Sequence, residues 1–151
     1  MDVVAILDQF ADNVFMMTKE NNERLKKIKM LVMDVDGVMT DGRIMYTADG
    51  QWSRFYSVRD GAGIVNLISK GYKTGIITGA QSIDVVKRAE HLKINHLYTG
   101  KSDKSPAYDE IKIASGYSDE EICYIGDDIF DVPLLKQVGF AVSVQIGRAH
   151  V

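Results

Sequence analysis

Short apolar runs that alternate with helix-patterned segments predict an α/β fold, built on a mainly parallel sheet with a β-hairpin inserted after the first strand. Three observations carry that reading. The run within Lys29–Asp34 and the run Ile122–Ile125 are continuous and apolar, as strands covered on both faces should be. Segments of helical length separate the later runs and supply the crossovers that parallel strands need. Between them, Arg43–Thr47 and Gln51–Ser57 carry Ile44, Tyr46, Trp52, Phe55 and Tyr56 around an Asp49-Gly50 turn signal.

The elements follow in order. Val3, Ile6, Leu7, Phe10, Val14 and Met17 recur at helical spacing, so residues 1–27 read as an amphipathic helix leading into the first strand. Residues 28–145 then form the α/β domain, with the hairpin at about 43–57. The hairpin is too aromatic to stand bare in solvent and is expected to pack on another surface, such as a second subunit. Beyond Gly61 the pattern predicts a helix at Ala62–Lys70, a strand at Lys73–Thr78, a helix at Ser82–Leu92 and a strand at His96–Tyr98. A helix starts at Ser105, where Pro106 suits the first helical position and Gly116 marks the end. The strand Ile122–Ile125, a helix at Val132–Val138 and the strand Phe140–Val144 complete the series.

A chain of 151 residues has room for one core. Its net charge of −3 lacks the basic footprint of a nucleic-acid binder. Lys26, Lys27 and Lys29 have Glu20 and Glu23 close by and read as a solvated helix end. The one cysteine, Cys123, excludes an internal disulfide and a cysteine-rich zinc site, and its apolar surroundings suit a buried thiol. Met1-Asp2-Val3-Val4 lacks the basic start of a signal peptide, and no run of about 18 apolar residues is present. A cytoplasmic protein with neither membrane nor nucleic-acid partners is the expectation.

In open parallel sheets ligands gather beyond the carboxyl ends of the strands. Here those ends carry Asp34-Val35-Asp36-Gly37, Thr78-Gly79, the stretch Thr99–Lys104, and Gly126-Asp127-Asp128. Carboxylates, a hydroxyl and an ammonium would converge on one rim, as a metal-assisted phosphoryl-transfer site requires. Mg²⁺ takes oxygen ligands, commonly one or two carboxylates with water and phosphate completing the shell, and Asp34 and Asp127 are the candidates. Asp34 is also the candidate nucleophile, dividing a difficult hydrolysis into two displacements through an aspartyl-phosphate. Asp36 would protonate the leaving oxygen and then activate water. Thr78 would hold phosphoryl oxygens and Lys104 would offset their charge. His91 and His96 lack metal-ligand spacing and read as surface or packing residues.

These segments, together with Ser57-Val-Arg-Asp-Gly61, resemble the small capless phosphatases of the haloacid dehalogenase superfamily, and most nearly their 3-deoxy-D-manno-octulosonate 8-phosphate phosphatase family. The resemblance runs from about Lys26 to Val144 and implies a three-layer Rossmann-like fold. It implies a Mg²⁺ held by Asp34, by Asp127 and by the backbone carbonyl of Asp36, with Thr78 and Lys104 on the phosphate. Ser57, Val58, Arg59, Asp60, Gly61 and Arg88 fall where the family holds substrate, and Lys104 is shared with that set. The implied substrate is a phosphorylated sugar acid of lipopolysaccharide synthesis. Family members are homotetramers whose hairpins meet and whose active sites lie between subunits.

Two departures are visible. Close relatives read Thr-Gly-Arg where this chain has Thr78-Gly79-Ala80, which removes a cation near the substrate. Relatives also continue beyond the last strand, whereas Ile146–Val151 resembles a translated sequencing adapter, so these six residues are expected to be extraneous. Alternatives are a phosphatase for a nonulosonate 9-phosphate or another sugar phosphate, and a non-catalytic assembly domain like those fused to acylneuraminate cytidylyltransferases. A receiver-like phosphoaccepting domain shares the acidic strand ends but leaves the hairpin and Asp36 unexplained.

Overall fold

Strand β1 (Met30–Met33) lies at the centre of a five-stranded sheet, because its side chains are apolar on both faces and helices cover both. The computed structural model describes residues 18–144. The other sheet strands are β4 (Lys73–Ile77), β5 (His96–Tyr98), β6 (Ile122–Gly126) and β7 (Phe140–Ser143), in the spatial order β5-β4-β1-β6-β7. Every neighbouring pair is parallel. In register, Met33 pairs with Ile76 on one side and Ile125 on the other. Chain order runs outward from β1 to β5 and then returns to β6, so the topological switch point falls between β1 and β6.

Among the described residues five α-helices accompany the sheet: α1 (Lys19–Leu25), α2 (Val58–Ser69), α3 (Ile83–Leu92), α4 (Ser105–Ser115) and α5 (Val132–Gln137). Alternation along the strands divides the core in two. Met30, Val32, Ile77 and Tyr124 pack with Ala107, Tyr108 and Ile111 of α4 and Leu134 of α5. Met33 and Ile76 point the other way, onto Ile64 of α2 and Val85, Ala89 and Leu92 of α3. The result is the three-layer α/β architecture expected from the sequence.

The boundaries differ from expectation in informative ways. Helix α2 begins at Val58 rather than Ala62, because Ser57 is extended and its side chain accepts a hydrogen bond from the Asp60 N–H. Residues 58–61 therefore form a first helical turn. The hairpin is a two-residue pairing, β2 (Met45–Tyr46) with β3 (Trp52–Ser53), closed by the Thr47 N–H donating to the Gln51 carbonyl. A lone bridge between Thr40 and Tyr56 secures its base. Of the expected N-terminal helix only Lys19–Leu25 is described; Val3–Met17, and the tail at 146–151, lie outside the described residues. No helix among the described residues is long and apolar enough to cross a membrane.

Candidate active site

The site is built at the carboxyl end of the sheet, where β1 delivers Asp34 and β6 delivers Asp127 across the switch point. A short turn of 3₁₀ helix (Ile129–Asp131) follows Asp128 and places Asp131 in the same cluster. Carboxylate oxygens of Asp34, Asp127 and Asp131 lie within 4.8 Å of one another. Lys104, at the start of α4 and 4% exposed, reaches between them: its Nζ is 3.1 Å from Asp34 Oδ1 and 2.5 Å from Asp131 Oδ1.

Asp131 is fully buried and fully used. It accepts from Lys104, from the Tyr124 hydroxyl at 2.6 Å, and from the backbone N–H groups of Asp127 and Asp128, both at 3.0 Å. Burial pushes its carboxyl up, but these donors together carry it below the usual carboxylate range. Asp34 and Asp127 are pushed the other way. Burial raises Asp34 against the opposing charge of Lys104. Burial also raises Asp127, and the charges of Asp34, Asp131 and Asp128 add to that. Asp127 Oδ1 is buried without a hydrogen-bond partner.

These features fit a divalent cation. Three carboxylates face one ammonium, so the ionised cluster carries an excess of two negative charges. The donor atoms are all oxygen, as Mg²⁺ prefers, and a buried carboxylate oxygen is left free. Gly37 lets the loop after β1 pass close to this oxygen set: its φ is +83°, and a Cβ there would sit 1.8 Å from Asp127 Oδ2.

The pocket in front of this cluster is lined by Asp34, Asp36, Thr78 and Lys104, with Trp52, Arg54 and Phe130 beside them. Thr78 is buried at the end of β4. Its N–H donates to Tyr98, its carbonyl accepts from Lys101, and its hydroxyl accepts from the Ala80 N–H, which ties the loops after β4 and β5 together. Thus Asp34, Asp36, Thr78, Lys104 and Asp127, all expected from the sequence, gather at one end of the sheet. Of the expected substrate set only Lys104 lines this pocket; Ser57, Val58, Arg59, Asp60, Gly61 and Arg88 do not. Ser57 caps α2, Val58 is exposed, and Arg88 donates to the Ser57 carbonyl at 2.8 Å while lying over the Tyr56 ring. A Cβ on Gly61 would meet Arg88 Nη2 at 2.5 Å, so those residues form a second cluster around the start of α2.

Sequence reasoning missed Asp131 and Arg54. Asp131 had a signal: Asp128 and Asp131 have the spacing of a capping box, which the structure confirms. Arg54 had none, since its partners are remote. Its Nε and Nη2 donate to the two oxygens of Asp36 at 2.6 and 3.1 Å, and its Nη1 donates to Ser82 Oγ and to Asp84.

No family model matches the chain. Its likeness to individual proteins is strong. A 3-deoxy-D-manno-octulosonate 8-phosphate phosphatase of Yersinia pestis is 43% identical over 122 residues, which is 81% of this chain and 65% of that protein. A solved structure from Legionella pneumophila, described as a HAD superfamily (subfamily III A) hydrolase, is 44% identical with a TM-score of 0.82, covering 83% of this chain and 69% of the other. The chain belongs to the haloacid dehalogenase superfamily. Within it, the chain falls with proteins like 3-deoxy-D-manno-octulosonate 8-phosphate phosphatase. The Moraxella catarrhalis phosphatase of that name, solved with magnesium, phosphate and a 3-deoxy-D-manno-octulosonate molecule, is 36% identical with a TM-score of 0.77, over 80% of this chain and 70% of that one. This chain spans just under two thirds of the length of the curated Yersinia relative.

Proposed function

We propose that this chain is a Mg²⁺-dependent phosphatase that removes phosphate from a small sugar acid, with 3-deoxy-D-manno-octulosonate 8-phosphate as first candidate. The observation that carries this reading is the cluster itself: three carboxylates within 4.8 Å, one buried oxygen without a partner, and a buried lysine 3.1 Å from Asp34. The kinship with phosphatases of that substrate supports the choice of ester.

Asp34 and Asp127, with the Asp36 backbone carbonyl, would hold Mg²⁺, which supplies charge neutralisation between the Asp34 carboxylate and the incoming phosphate. Asp34, fixed at the end of β1, attacks phosphorus through one carboxylate oxygen; the ester P–O bond breaks and its electron pair leaves on the sugar oxygen. Asp36 gives that oxygen a proton. The carboxylate so formed then takes a proton from water, and the water oxygen attacks the aspartyl-phosphate, releasing phosphate and restoring Asp34. Lys104 and Thr78 hold the transferring oxygens, and Lys104 matters most when their charge is redistributed.

The exposed hairpin supports a homotetramer as the working form: Tyr46 and Phe55 are 63% and 67% exposed in the single chain. In such an assembly Arg59, Asp60 and Arg88 would serve substrate recognition at an interface between copies. Ala80 lines the pocket, and this favours testing related sugar phosphates, nonulosonate 9-phosphates included, beside the first candidate. A cytoplasmic location fits such a substrate.

Phosphate release from a panel of sugar phosphates, with Mg²⁺ or with chelator, tests the reading. Metal-dependent release that is highest for an ulosonate phosphate is expected. Absence of metal-dependent release from every ester would overturn it.

A further inference from the structure

Arg54 is a charged side chain with no exposed surface, placed where the hairpin meets the pocket. Burying a guanidinium is costly unless its donors are used, and here each of its three nitrogens is hydrogen-bonded. One edge is bidentate on Asp36, through Nε at 2.6 Å and Nη2 at 3.1 Å. The remaining nitrogen, Nη1, is held by Ser82 Oγ at 2.6 Å and by the Asp84 carboxylate at 3.2 Å, both at the start of α3. Tyr56 adds its hydroxyl to the same Asp84 carboxylate at 3.4 Å. The Arg54 guanidinium also lies over the Trp52 ring, 5.9 Å from its centroid. Asp36 itself is 41% exposed, on the loop that follows β1.

We infer that Arg54 is a positioning residue for the proposed reaction: it fixes the plane and rotamer of the Asp36 carboxyl so that one oxygen is presented to the leaving group. The inference rests on the phosphatase reading given above. A bidentate fork sets orientation as well as distance, which a single ammonium does not. Each Asp36 oxygen keeps a second lone pair, so the pairing leaves a site for the proton that passes to the ester oxygen as the P–O bond breaks. Anchoring by Ser82 and Asp84 makes α3 the rigid reference for that orientation.

A role through the acid/base has a signature that a purely structural role lacks. kcat/KM covers steps up to the first irreversible one, the breaking of the ester bond. A sugar phosphate needs its leaving oxygen protonated; p-nitrophenyl phosphate does not. Arg54→Gln should therefore lower kcat/KM for the sugar phosphate by about 10–100-fold, as for a misplaced general acid, with a much smaller loss for p-nitrophenyl phosphate. Arg54→Lys, which keeps charge without the fork, should fall between. Asp84→Asn, which keeps Arg54 and weakens its anchor, should shift the ratio of the two substrates in the same direction, and it serves if Arg54→Gln does not fold by circular dichroism. Equal losses on both esters, or an unchanged ratio, would overturn the inference. A wild-type chain that hydrolyses neither ester with Mg²⁺ would instead remove the phosphatase reading beneath it.

Discussion

Replacing Gly37 by alanine should separate the site's metal affinity from the stability of the fold. Two costs can be read from the geometry. The first is local: at a φ of +83° an alanine is forced into the left-handed region, which costs about 1–2 kcal/mol. The second is specific to the site, because the new Cβ would fall 1.8 Å from Asp127 Oδ2 and 2.6 Å from Asp127 Cγ. Relief from 1.8 Å to an ordinary contact of 3.4 Å requires that carboxylate to retreat by about 1.6 Å, whereas Mg²⁺ demands near-ideal octahedral bonds of about 2.0–2.1 Å. Losing the grip of one ligand should weaken Mg²⁺ binding at least as much as disturbing a ligand's support does, roughly 10–100-fold or about 1.4–2.7 kcal/mol. Gly116→Ala is the control, since Gly116 has a φ of +72° with nothing within 4 Å of the added Cβ. Both variants should lose similar stability in urea titrations with chelator present. Calorimetric titration with Mg²⁺ should show the affinity loss in Gly37→Ala alone. Equal Mg²⁺ affinity in the two variants would refute the idea that Gly37 is small so that Asp127 can hold the metal.

Lys104→Met should destabilise the fold by about 3–5 kcal/mol in urea unfolding, because it leaves the buried carboxylates of Asp34 and Asp131 without their shared cation. Asp127→Asn should act in the opposite direction on the metal-free protein. The raised Asp127 carboxyl binds its proton more tightly folded than unfolded, so stability falls as pH rises above the ordinary value of 3.8. Thermal melts in chelator should show the variant more stable near neutral pH, with the gain shrinking as pH falls towards 3.8, while Mg²⁺ no longer raises its melting temperature. Phe55→Glu, at a position 67% exposed, should leave the monomer folded but lower the mass seen by analytical ultracentrifugation.

Asp34, Thr78 and Asp127 could be found because each directly follows an apolar run, and Lys104 because it closes the polar stretch after another, so local pattern and the geometry of parallel sheets together place them. Arg54 was beyond that reach. It lies 18 residues from Asp36 and 30 from Asp84, and only the folded chain shows that one guanidinium serves both. Asp131 was hidden for another reason: beside Asp127 and Asp128 it resembles one more solvated carboxylate, until its burial and four donors are seen. The early start of α2 turned on a single serine cap, Ser57, which adds residues 58–61 as a first turn ahead of the expected start at Ala62. The hairpin strands were expected too long because aromatic content signals a face to be covered, and pairing ends where Arg54 turns to its carboxylates.

In the proposed reaction the Asp34 carboxylate receives the phosphoryl group. Turnover quenched in acid, followed by peptide mass spectrometry, measures this directly. One phosphoryl group on the peptide at Asp34, absent in chelator and absent in Asp34→Asn, is the predicted result. Steady turnover with that peptide unmodified, and with Asp34→Asn as fast as the parent chain, would contradict it.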